Sequence, residues 1–297
     1  MILEIGKMYK EKINDFISYL VKEGYDLEKI NSIMKNTVVV KYSKDKSTNV
    51  TFKYEDEEIT QKIHSWFKDY HGFCYNVVIH EGNDIKNIQN IIGINTKNNR
   101  KEGIITIIHE LLHLLSQNEE IVEDNLKIKS GLYETEYLQN KLIRTYGSDK
   151  LNEGVTEYLA RKIKAKIYGE YSYTNSVYVY EDLVPIINNF IFEENQVENL
   201  LNIYMNNDRK KLYKLIKEKA GISEYRMMRL YLPLVYSKMY KNIIEYRLVK
   251  LTKKIIKYYL KTHTKEQLEI VCKRILEDLP KGRYKNLEKV LNLNKGV

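Results

Sequence analysis

The chain has 297 residues, 43% of them hydrophobic, and 49 Lys and Arg stand against 40 Asp and Glu for a formal net charge of +9. That length and balance exclude a disulfide-stapled miniprotein and a disordered chain, and leave room for one large or two moderate domains with a proper core. The absence of any run of 18 apolar residues excludes a membrane-spanning helix, and the two cysteines, Cys74 and Cys272, make neither a disulfide framework nor a metal-type cluster.

The amino-terminal stretch Met1 to Met8 carries charges inside its first apolar run and has no small-residue cleavage site. No signal peptide is read there, and a cytoplasmic location is expected, with export lacking a signal left open. Residues 1 to about 35 read as helical, because Ile13, Phe16, Ile17, Leu20 and Val21 recur at helical spacing. Asp26 is placed to cap a short second helix from Leu27 to Met34. The texture then turns β-rich. Thr37–Tyr42 and Asn49–Tyr54 are strand-like runs around a polar Lys44-to-Ser47 turn and predict a hairpin. A helix is expected over about 58–70, with Ile59, Ile63, Trp66 and Phe67 on one side. Phe73–Ile79 reads as a strand. Ile91–Asn95 reads as another, placed at the edge of the sheet.

After a polar approach from Lys97 to Glu102, an apolar run opens at Gly103 and contains His109-Glu110-Leu111-Leu112-His113, then Leu114 and Leu115. Its length predicts a buried helix. Positions i and i+4 of a helix share a face, so His109 and His113 can offer two imidazole nitrogens to one metal ion. Glu110 lies one step round, within reach of a water at the open position. This is the spacing that zinc hydrolysis uses. Unpaired polar groups on so aliphatic a helix would cost a few kcal/mol unless they have partners or a metal.

Residues 117–149 look irregular or partly helical. A second helix is expected over about 150–168, carrying Asn152-Glu153-Gly154-Val155-Thr156-Glu157. The 39 residues between His113 and Glu153 give it room to return and cross the first helix. Glu153 and Glu157 share a face, so Glu153 can complete the metal shell while Glu157 orients a ligand histidine from behind. Gly154 leaves space for close approach. A tyrosine-rich segment from Tyr171 to Tyr180 precedes a helix over about 181–193, and helix follows helix from Glu194. Thr264-Lys265-Glu266-Gln267 reads as a capping box, and Pro233 and Pro280 mark kinks or ends.

H-E-x-x-H followed by N-E-G-x-x-E resembles the gluzincin branch of zinc metallopeptidases. The Asn152-Glu153-Gly154 wording is similar to the third-ligand motif of the aminopeptidase N group, although the spacer there is shorter. Tyr146, seven residues before Glu153 and followed by the E-x-x-x-E pair, resembles the anthrax lethal factor catalytic domain and the clostridial Pro-Pro endopeptidases, which share the longer spacer. The likeness covers about residues 103–160 and does not extend to the flanks. It implies a zincin-like α+β fold, a small mixed sheet with the H-E-x-x-H helix, followed by a mainly helical C-terminal part. It implies Zn²⁺ held by His109, His113 and Glu153, Glu110 as general base, and Tyr146 as a hydrogen-bond donor to the oxyanion; Tyr178 or Tyr180 is the fallback donor on our own reading. It also implies that the edge strand binds substrate backbone by strand addition.

The expected division is an N-terminal α/β part over 1–118, a helical part over 119–207 bearing the third ligand, and a basic helical part over 208–297. That last part holds 24 Lys and Arg against 9 Asp and Glu, whereas the first 207 residues hold 25 against 31. Its tyrosines (Tyr225, Tyr231, Tyr236, Tyr240, Tyr246, Tyr258, Tyr259) interleave with the charge, but no nucleic-acid motif accompanies them. They are therefore read as core residues of amphipathic helices with lysines in water. The predicted function is a zinc-dependent peptidase acting on a peptide or protein through a zinc-activated water. No upstream G-x-M-E-N motif is present to grip a substrate amine, which favours an endopeptidase. The alternative is a non-proteolytic metal-binding regulatory protein whose basic half engages nucleic acid or a partner.

Overall fold

Ile13, Phe16 and Leu20 are buried at three- and four-residue spacing, which is why Lys7–Lys22 forms the first helix, α1. The computed structural model of the chain describes residues 7–42, 49–54, 57–62, 72–81, 84–95, 100–122, 125–138, 141–146, 149–169, 180–223 and 241–292. These are α+β in class, and they fall into two compact units. One unit takes in residues up to 130, then 135–144 and 160–172; the other takes in 131–134, 145–159 and 173 onward.

In the first unit, Asp26 caps α2 (Leu27–Lys35) by accepting from the amides of Glu28 at 2.8 Å and Lys29 at 3.4 Å. A three-stranded sheet follows, in the order β1 (Thr37–Tyr42), β5 (Asp84–Asn95), β4 (Gly72–Glu81). β1 runs parallel to β5, with Thr37 opposite Asn90, and β4 runs antiparallel to it, with Phe73 opposite Gly93. α3 (Arg100–Leu115) packs on β4 and β5 and against α1 and α2. A separate hairpin joins β2 (Asn49–Tyr54) to β3 (Glu57–Lys62). A four-stranded sheet runs in the order β6 (Asn118–Val122), β7 (Asn125–Ser130), β8 (Tyr133–Leu138), β9 (Lys141–Tyr146). It leads to α4 (Asp149–Tyr168), which supplies residues to both units.

The second unit is helical. α5 (Tyr180–Ile191) is buried along its described length from Asp182 and packs against α6 (Gln196–Met205), α7 (Arg209–Ala220), α8 (Lys241–Tyr259) and α9 (Lys265–Asp278); α10 (Lys285–Leu291) lies on α8 and α9. The Thr264 capping box opens α9 as expected, with Thr264 and Gln267 exchanging hydrogen bonds of 2.8 and 3.3 Å. Pro280 follows the C-cap residue of that helix, Leu279.

Four expectations are corrected. The run 37–42 does not pair with 49–54: its Val38-Val39-Val40 core is buried and suits a parallel strand covered on both faces. Residues 57–62 are a strand rather than part of a helix, because β2 takes its partner from them. Ile91–Asn95 belongs to the central strand of its sheet, not the edge, as its continuous apolar run requires. Residues 118–146 form four strands where irregular or helical structure was expected. The Lys44-to-Ser47 turn, Ile63, His64, Trp66, Phe67, His71, the Tyr171-to-Tyr178 segment, Tyr225, Tyr231, Pro233, Tyr236 and Tyr240 lie outside the described residues.

Candidate metal centre

α3 owes its position to its aliphatic residues. Ile104, Ile105, Ile107, Ile108, Leu111, Leu112, Leu114 and Leu115 are all buried, so the helix is gripped around most of its circumference. His109 is half-buried, and Glu110 and His113 are only 6% and 8% exposed. The two imidazoles stand edge-to-face, with centroids 4.8 Å apart and planes at 67°, and their Nε2 atoms are 3.0 Å from each other. Two nitrogens held about 2.0–2.1 Å from one tetrahedral zinc would lie about 3.3 Å apart. The pair is thus already close to the geometry of two ligands on a single ion.

The carboxyl end of α3 is tied down just past the motif. The His113 carbonyl accepts the hydroxyls of Ser116 and of Ser130, each at 3.0 Å. Gln117, next along, donates to Asn76 Oδ1 at 3.2 Å and accepts from Asn76 Nδ2 at 2.9 Å, and that same nitrogen reaches Asn90 Oδ1 at 2.7 Å. The last turn is therefore anchored to both β4 and β5. At the start of β4, Gly72 has no side chain for a reason: a Cβ there would stand 2.8 Å from Glu110 Oε1 and would also overlap the Thr106 methyl.

On α4, Leu151, Val155, Tyr158, Leu159 and Ile163 are buried, while Glu153 and Glu157 are half-buried one turn apart. Asn152 holds this end of the helix, its Oδ1 accepting the Leu132 amide at 2.7 Å. Gly131, beside Leu132, is left-handed at φ +57°, and a Cβ on it would collide with the Tyr204 ring and Asn152. Thr156 closes the same network, donating to the Asn152 carbonyl at 2.7 Å and sharing a 2.6 Å hydrogen bond with Tyr204.

The ligand atoms of His109, His113 and Glu153 all lie within 4.8 Å of one another, close enough to hold a metal ion. The group offers two imidazole nitrogens and one carboxylate oxygen, with no thiolate. Tyr146 is the last residue of β9, three positions before α4, and Tyr180 opens α5; their side chains, like that of His80 on β4, lie outside the described residues. His263 is occupied elsewhere. It stacks on Tyr259 with centroids 3.8 Å apart and reaches Glu193 at 3.4 Å. Sequence reasoning missed Gly72, Ser116 and Ser130, since a glycine opening a strand and two isolated serines carry no spacing signal.

No family model, no curated protein and no solved structure matches the chain.

Proposed function

We propose that the chain is a zinc-dependent peptidase, an endopeptidase of gluzincin type on a zincin-like fold, whose site is His109, His113 and Glu153 for the ion and Glu110 for the chemistry. The observation that carries this reading is the convergence of two imidazole Nε2 atoms, 3.0 Å apart on a buried helix, with a glutamate from a second helix. When bound, zinc would acidify a water and polarise the peptide carbonyl.

The remaining work falls to this chain's own groups. His109 and His113 present Nε2, so each leaves Nδ1–H to be fixed by a hydrogen-bond acceptor, a role proposed for Glu157. Glu110 takes the proton of the attacking water and hands it to the leaving amide nitrogen. Its burial favours proton transfer over solvation, and Gly72 leaves its carboxylate the room to turn. Tyr146 supplies the hydrogen bond to the oxyanion as the peptide carbonyl becomes tetrahedral.

Cleavage of a mixed peptide library by the zinc-loaded protein tests this reading. Wild-type protein is expected to cut internal bonds, and Glu110→Gln to keep its metal and lose cleavage by 10²-fold or more, the scale of a general base. Metal binding with no cleavage of any library peptide would overturn it.

A further inference from the structure

We propose that the outer face of α8 is a binding site for single-stranded nucleic acid, separate from the metal centre and independent of the peptidase reading. The inner face of α8 is spent on the core, with Ile244, Leu248, Leu251, Ile255, Ile256 and Tyr259 all buried. Its outer face is a single stripe. Tyr246, Lys250, Lys253, Lys254, Lys257 and Tyr258 follow one another at helical spacing and all face solvent. From first to last the stripe is about 18 Å long at 1.5 Å per residue.

Three features distinguish this stripe from a merely solvated face. It contains no acidic residue, and none of its four lysines has an ion pair or hydrogen bond among the described residues. The nearest acid on the helix, Glu245, is engaged with the Asn286 amide at 2.5 Å. Two tyrosines that an ordinary amphipathic helix would bury stand outside instead: Tyr246 is 63% exposed and Tyr258 36%, whereas Tyr259 is 3%. Tyr258 is also held in place, since its ring is seated against the α-carbon of Gly221 and the Lys261 ammonium lies 5.4 Å from its centroid. The neighbouring helix α7 adds the exposed Lys210, Lys214 and Lys217.

Four cations with no partner among the described residues select a polyanion, and two exposed aromatic rings select one with flat bases free to stack. A duplex keeps its bases stacked on one another, and an acidic polypeptide has no bases at all. An anionic bilayer would attract the lysines as well, but it offers no flat bases for the two rings to stack on.

The test is fluorescence anisotropy of a labelled 20-nucleotide oligothymidylate with the full chain, from 50 to 200 mM NaCl. Binding is expected with a log–log salt slope of about −3, from four phosphates at ~0.7 each. Joint Lys250→Gln, Lys253→Gln, Lys254→Gln and Lys257→Gln is expected to flatten that slope and weaken binding at 50 mM salt about 100-fold. Tyr246→Ala is expected to weaken it about tenfold and leave the slope unchanged. All five positions are exposed, and circular dichroism and the zinc content of each variant verify its fold. Glu153→Ala is expected to bind the oligonucleotide as wild type does. No binding at 50 mM salt, binding untouched by the lysine substitutions, or equal affinity for duplex, polyglutamate or phosphatidylserine vesicles would each overturn the proposal.

Discussion

Glu110 and Gly72 are a pair that a change of one methyl group can probe. The Gly72→Ala side chain would press on Glu110 Oε1 and Thr106 while leaving the two imidazoles untouched. Gly72→Ala is therefore expected to keep zinc and lose most of the peptidase activity proposed for the site, measured as kcat/KM on the best library peptide. Unchanged kcat/KM would show that Glu110 needs no room there. Cys272 offers a second test at this scale. It is 1% exposed, and burial first, then the nearby Glu269 charge, push its thiol from 9.0 up to about 12. In the native state the thiol keeps its proton over a range in which the unfolded chain has lost it. Stability is accordingly whole below about pH 9 and falls by about 1.4 kcal/mol per pH unit as the pH rises towards 12. Chemical denaturation at pH 9 and pH 11 is expected to show a larger loss for wild type than for Cys272→Val, and equal losses would refute the assignment.

At the scale of elements, the sequence was most legible where one chemical cause acts locally. Asp26 before Leu27, Thr264 with Gln267, and the aliphatic run around His109 each determine a helix through caps or burial that depend on near neighbours. Strand pairing was less legible because partners are chosen at long range. The run 37–42 was matched to its sequence neighbour, yet Thr37 stands opposite Asn90, more than fifty residues on. Of the four strands within 118–146, Asn118–Val122 is too acidic to show a strand's alternation, whereas Asn125–Ser130 and Tyr133–Leu138 do alternate and that signal was passed over. The site was read as residue types at spacing, and that reading extended to the His109, His113 and Glu153 group. What it omitted was support: the serines on the His113 carbonyl, and Asn152, whose amide group serves the β7–β8 turn. Asn152→Ala would strand the buried Leu132 amide and is expected to cost about 1–3 kcal/mol in urea unfolding, and to loosen zinc binding by moving Glu153. A loss under 0.5 kcal/mol would mean the turn finds another acceptor.

Over the whole molecule, charge is segregated along the chain: the basic surplus lies after residue 207, and the residues before it are slightly acidic. Any metal binding would, by contrast, be a property of the native state, since residues forty or more positions apart must meet to form the site. Zinc at 100 times its Kd is expected to add about 2.7 kcal/mol to stability, so a chelator should lower the Tm of wild type and leave that of His113→Ala unchanged. An identical wild-type Tm with and without chelator would mean that no ion binds the folded chain.

The most direct measurement on the central claim is native mass spectrometry of the zinc-loaded protein, comparing wild type with Glu153→Ala. One zinc per wild-type chain and none on Glu153→Ala is the predicted result. A Glu153→Ala chain that still carries its zinc would contradict the assignment of the third ligand and, with it, the site described here.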